Sequence, residues 1–295
     1  MQIIYLDEAG RGADQPISVV AAVAATEAEV PNIEAYISRI YDDMVPPEDR
    51  NGFQFHASEN IGGKGVYAGR QWTPERRKQL FFKMLSIPGE CNLGISVGIC
   101  RRTAPIPDGW KWSAEYMHHI IALDLCITRA DRYVRRHCPQ NEQARIVAED
   151  CVEMRGLLRK FVQGRKNNPI TMGIDRISLT KQEVETGIVV QEAEFALKVT
   201  YGDLEFASKS GPALLAVADA CAYTFARYFK QLSFGNELMA RMLRVPPDLG
   251  DWSGFSSGGS FCGPQLAGEA AMRRFQEDQM IAEMAHMLLG LTNPP

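Results

Sequence analysis

Ile3-Ile4-Tyr5-Leu6-Asp7-Glu8-Ala9-Gly10 opens the chain as an apolar run that ends in two carboxylates and a glycine. Gln2 to Leu6 reads as a buried strand, the Gly- and Asp-rich stretch from Asp7 to Gln15 as a turn, and Ile17 to Ala25 as the returning strand. The expectation is an antiparallel hairpin. Far downstream, Leu214-Leu215-Ala216-Val217-Ala218-Asp219-Ala220-Cys221-Ala222 places a carboxylate inside an apolar helix. A buried carboxylate costs free energy unless a cation, a donor or a metal compensates it. Two such sites far apart in sequence are expected to meet around a cation, the layout of a metal-dependent phosphoryl-transfer site.

Helices and strands alternate between these two phrases. Ala28 to Asp43 carries apolar residues at helical spacing (Val30, Ile33, Ile37, Ile40), and Pro46 and Pro47 end it. Thr73-Pro74-Glu75 opens a second helix, running to about Ser86, with Thr73 as N-cap and Pro74 in the first turn. Leu93 to Cys100 reads as a strand, and Ser113 to His137 as a long helix. Ala144 to Ala148 is a short strand ending in Glu149-Asp150, followed by a basic helix from Glu153 to Val162. Gly173 to Leu179 and Leu204 to Ala207 read as strands; Val189 to Val199 is ambiguous. Gly211-Pro212 opens a helix to about Leu232. The fold class is therefore α/β, a mixed sheet of an early antiparallel hairpin and later strands, flanked by helices. Residues 1–232 form the expected main domain. Residues 233–295 form a C-terminal extension, a Gly/Ser/aromatic loop and then an amphipathic Met-rich helix from Glu269 to Leu289.

The bulk composition narrows the function. A net charge of -4 gives no global basic balance for nucleic acid, so any such contact must come from a local patch. Seven cysteines, an odd count with no CxxC pair, read as reduced thiols of a cytoplasmic protein, neither a disulfide framework nor a zinc site. No run has the length of a membrane span, and no leader-like segment opens the chain.

Each acid has a structural alternative. Asp7 and Glu8 alternate in direction, so only one shares the face of Ile3 and Tyr5; Asp7 either takes part in chemistry or starts the turn. Asp150 either takes part in chemistry or caps the next helix. Glu is a poor cap, so Glu149 is the favoured functional member of that pair. Asp219 is the only charged residue from Gly211 to Ala226. The functional reading is preferred over a polar stripe with Tyr223 and Arg227. His56, in Phe55-His56-Ala57, either assists a water or a phosphate or is a hydrogen-bonded structural histidine. His118 and His119 read as a polar patch beside the core. The basic groups 70–78, 129–136 and 155–166 are solvated helix faces unless one flanks the acids.

Taken in order, Tyr5-Leu6-Asp7-Glu8-Ala9-Gly10, Phe55-His56-Ala57, the strand ending in Glu149, and Ala218-Asp219-Ala220-Cys221-Ala222-Tyr223 resemble the family catalogued as domain of unknown function 3800. The likeness spans roughly residues 2 to 230. It implies an RNase H-like fold with helical insertions and nuclease activity on RNA or DNA. Asp7, Glu149 and Asp219 match the family's acids and would hold Mg²⁺ or Mn²⁺. His56, Glu8 and Asp150 would assist the attacking water or complete the shell. Leu215-Ala216-Val217 departs from the family's L-Q-L. Two other readings are carried alongside: an inactive module that binds a protein partner through the C-terminal segment, and a metal-dependent hydrolase of a small phosphorylated substrate.

Overall fold

The computed structural model describes residues 1–10, 12, 15–102, 111–167, 197–200, 202–208, 210–243 and 260–263. The expected strand at 173–179, most of the ambiguous segment 189–199, most of the Gly/Ser/aromatic loop and the terminal helix lie outside them.

β1 (Gln2–Ala9) and β2 (Ile17–Thr26) form the expected antiparallel hairpin, in register from Gln2 opposite Thr26 to Ala9 opposite Val19. Three helices follow, α1 (Val30–Met44), the short α2 (Ala57–Gly62) and α3 (Pro74–Glu90). β3 (Gly94–Arg101) pairs antiparallel with β2. The 24-residue α4 (Ala114–His137) leads to β4 (Ala144–Glu149), which lies parallel to β1. After α5 (Arg155–Asn167), β5 (Glu205–Ala207) adds in parallel to β4. α6 (Leu214–Phe229) and α7 (Gly235–Leu243) come next, and β6 (Ser260–Gly263) closes the far edge. The strand order is β5-β4-β1-β2-β3-β6, an α/β fold on a mixed sheet.

Two differences from the sequence reading lie beyond position 232. α7 packs on α3 and α6, and Leu238, Met239 and Met242 join the core there. Ser260–Gly263, expected as irregular loop, pairs antiparallel with β3. Both depend on distant partners that local pattern does not reveal. Between α1 and α3, Ala57–Gly62 winds into α2 and ends at Gly63, whose φ of 62° is the left-handed stop that glycine accommodates.

Strand alternation divides the core. Ile3, Tyr5, Val19, Ala21 and Val97 face one way, under α1, α3, α6 and α7. Ile4, Leu6, Val20, Ala22 and Ile146 face the other way, under α4 and α5. α6 lies across β1 and β2, and α4 lies across β2 and β3. At Gly98 an added Cβ would sit 1.9 Å from the Ala122 carbonyl oxygen, so glycine permits the close seating of α4. Thr73 and Ser113 cap α3 and α4 as expected, accepting from the Arg76 and Tyr116 N–H groups. Among the described residues no helix is long and apolar enough to cross a membrane.

Candidate functional site

Three elements deliver acids to one end of the sheet. β1 and β4 are parallel, with Leu6 opposite Ala148, so the next residues on each strand, Asp7 and Glu149, lie side by side at the carboxyl ends. Asp7 follows the alternation of Ile3 and Tyr5 and faces α6; Glu149 follows that of Val147 and faces the same way. α6 crosses this face and brings Asp219 down onto β1. Its small residues Ala218, Ala220 and Ala222, all fully buried, allow the helix to sit close.

Both aspartates are nearly out of solvent, Asp7 at 3% exposure and Asp219 at 6%. The Glu8 N–H donates to Asp7 Oδ1 at 2.7 Å, and a side-chain hydrogen bond joins Asp7 to Glu149. Burial, then the charge of Asp219, then the bond to Glu149 push the Asp7 carboxyl well above the usual carboxylate range. The crowding of like charges is thus expressed on Asp7.

Asp219 holds the loop that carries His56. His56 is the extended N-cap residue of α2, and its own side chain makes no capping bond. The Ala57 N–H, first of the helix, donates instead to Asp219 Oδ2 at 2.8 Å. A carboxylate 162 residues away therefore satisfies a backbone donor that a helix start leaves without an intrahelical partner. His56 Nδ1 lies 3.5 Å from the same Asp219 oxygen and 3.4 Å from Ser58 Oγ. The His56 side chain is 35% exposed, so the imidazole sits where the buried acids meet solvent. The Tyr67 hydroxyl accepts from the His56 N–H at 3.4 Å.

The structure therefore brings together Asp7, Glu149, Asp219 and His56. It separates the other two acids named from the sequence. Glu8 turns, by alternation, to the face of Leu6 and α4, and reaches Asp7 through its charge. Asp150 is bound by Arg155 at the first turn of α5, with Nε 3.0 Å from Oδ1 and a second contact between Nη2 and Oδ2. Tyr223 and Arg227, the alternative polar stripe for Asp219, bond to each other at 2.9 Å.

Several expected surface cations serve the fold instead. Arg76 donates to the carbonyls of Met44 and Gln71, and Arg77 to those of Asn60 and Ile61 at the end of α2. Arg165 binds Asp124 and Thr128. Sequence reasoning missed Asp131, which is fully buried on α4. Its Oδ1 accepts from the N–H groups of Val199 (2.9 Å) and Thr200 (3.2 Å), and its Oδ2 from Arg135 (3.0 Å). An Asp inside an apolar helical stripe was the available signal.

The donor chemistry of Asp7, Glu149 and Asp219 suits a hard divalent cation, because all three offer carboxylate oxygens. Burial first, and the neighbouring carboxylates after it, raise the proton affinity of Asp7, and such a cation would offset the like-charge part. As the side chains stand, no group of three or more His, Cys, Asp or Glu among the described residues is arranged to hold a metal ion.

Comparison with protein-family models, curated proteins and solved structures finds no match to this chain.

Proposed function

We propose that this protein is a divalent-metal-dependent nuclease of the RNase H-like kind, hydrolysing phosphodiester bonds of RNA or DNA, and a member of the domain of unknown function 3800 family that its phrases resemble. One observation carries the reading: Asp7, Glu149 and Asp219, from three separate elements, converge at the carboxyl ends of parallel strands. In α/β sheets that is where ligands are received. The three carboxylates would hold Mg²⁺ or Mn²⁺. When bound, such an ion supplies Lewis-acid stabilisation of phosphoryl oxygens and a nucleophile at neutral pH.

The chain's own residues do the rest. Asp219 fixes the start of α2 through the Ala57 N–H and keeps the His56 ring within 3.5 Å of its carboxylate. The partly exposed His56 is placed to take a proton from an incoming water and hold it at an imidazole nitrogen. Asp219 stabilises the imidazolium so formed. The buried walls of β1 and α6 keep bulk water from behind the carboxylates and so strengthen their field. Cys91, Cys100, Cys126, Cys138, Cys151 and Cys221 are free thiols, with Cys100 and Cys221 pushed up to about 12 by burial.

The test is thermal unfolding of the wild type and Asp219→Asn with and without Mn²⁺ or Mg²⁺. Asn keeps an acceptor for the Ala57 N–H, so the fold should survive. An ion at 100 times its Kd stabilises by about 2.7 kcal/mol. For a domain of this size that is a rise of roughly 5–10 °C in Tm. A rise in the wild type that Asp219→Asn abolishes is the expected result, followed by metal-dependent cleavage of an oligonucleotide. No rise in either protein at millimolar ion would sink the proposal.

A further inference from the structure

We infer that a strip of alternating rings and cations, leading outward from Asp219, is a binding platform for single-stranded nucleic acid. This deepens the nuclease reading and rests on it for the direction of the strand. The strip follows from sequence spacing and contacts. Tyr223 and Arg227 stand one and two turns beyond Asp219 on α6, about 12 Å along the axis. The Arg227 guanidinium lies 5.6 Å from the Tyr223 ring centre and donates to the Ser233 carbonyl oxygen at 2.6 Å. The next residue is Phe234. Its ring lies 5.3 Å from Lys78 Nζ, and the same ammonium lies 5.2 Å from the Phe82 ring. Arg241 covers Phe82 at 5.7 Å.

Phe234 is the informative member. It is 55% exposed, and its φ of 65° is the left-handed region that a bulky side chain disfavours. Glycine or asparagine would sit there with less strain, so neither burial nor backbone preference accounts for a phenyl ring at this position. Glu237 contacts Lys78 at 3.0 Å, which keeps the ammonium over the two rings. Beyond Asp219 the strip carries Arg227, Lys78 and Arg241 against Glu237, a local positive excess on a chain whose net charge is -4. A ring that stands clear of the surface beside cations can stack on a base while the cations follow the phosphates. A duplex hides its base faces inside the stack, so the platform fits an unpaired strand.

The experiment is fluorescence anisotropy of the full chain in EDTA, with a labelled single strand of about 16 nucleotides. RNA and DNA versions are each compared with the matching duplex. Expected results are tighter binding of at least one single strand than of its duplex by 10-fold or more, and about 10-fold weaker binding by Phe234→Ala at unchanged Tm. Phe234→Trp should restore the affinity. Arg241→Gln should lower the log–log salt slope by about 0.7. Equal binding of duplex, no binding at all, or an unaffected Phe234→Ala would overturn the platform. Metal-dependent cleavage is measured apart from this. Cleavage with an indifferent Phe234→Ala removes the platform and keeps the nuclease; Phe234-dependent binding without a metal response does the reverse.

Discussion

The two faces of the sheet treat a buried aspartate in opposite ways. Under α4, Asp131 accepts two backbone N–H groups, a threonine hydroxyl and an arginine, and so ties Val199 and Thr200 in place ahead of β5. Under α6, Asp7 meets Asp219 and Glu149, and burial first, then these acids, drives its carboxyl toward the protonated form. Asp131 has two backbone donors, a hydroxyl and a cation; Asp7 has one backbone donor and two further acids. A buried carboxylate surrounded by donors stabilises a fold. One surrounded by carboxylates costs stability until a cation or a proton arrives. That difference is the physical case for reading the α6 face as a site and the α4 face as structure.

The largest expected effect breaks the structural side. Asp131→Ala leaves the Val199 and Thr200 N–H groups and Arg135 without that acceptor, and should destabilise the protein by about 3–5 kcal/mol. Urea denaturation reads it, and a change under about 1 kcal/mol would show that the clamp is not what orders the segment before β5.

Asp7→Asn should have the opposite sign. The amide keeps an oxygen for the Glu8 N–H and offers Glu149 a donor in place of a like charge. We expect a gain of about 0.5–2 kcal/mol in metal-free stability at neutral pH, together with loss of the Mn²⁺-dependent rise in Tm. A destabilised, still metal-responsive variant would contradict both halves.

The gain should also depend on pH. Asp7 titrates higher folded than unfolded, so its contribution is fully present below the ordinary carboxylate value of about 3.9 and is lost as pH rises through the folded value. Wild-type and Asp7→Asn stability curves in EDTA should therefore converge in acid and separate toward neutrality. Curves that separate in acid instead would reverse the assigned direction.

The smallest effect sharpens the boundary of the site. Asp150→Ala removes a partly exposed pair with Arg155 and should change stability by less than about 1 kcal/mol. The metal-dependent shift in Tm should stay intact. Its loss would bring Asp150 into the shell beside Glu149.

Much of the scaffold was legible in the residues. The hairpin, the caps at Thr73 and Ser113, the basic helix and the short strand ending in Glu149 all follow local rules, and each sits within a few residues of its expected limits. α7 and β6 were not legible, because α7 is held by α3 and α6 and β6 by β3, far back in the chain. Asp131 shows the same limit, since its partners are 68 and 69 residues away.

The candidate site divides in the same manner. Sequence alone placed carboxylates at the ends of two strands and inside one apolar helix, because burial makes a charged residue conspicuous wherever it stands. Tertiary structure decided which of each adjacent pair faces α6. Parallel register set Asp7 beside Glu149, and side-chain alternation turned Glu8 away. It also decided that Asp219 holds the start of α2 and with it His56. Alternation is a local property of a strand. Which face becomes the site depends on where a helix from the other end of the chain comes to rest.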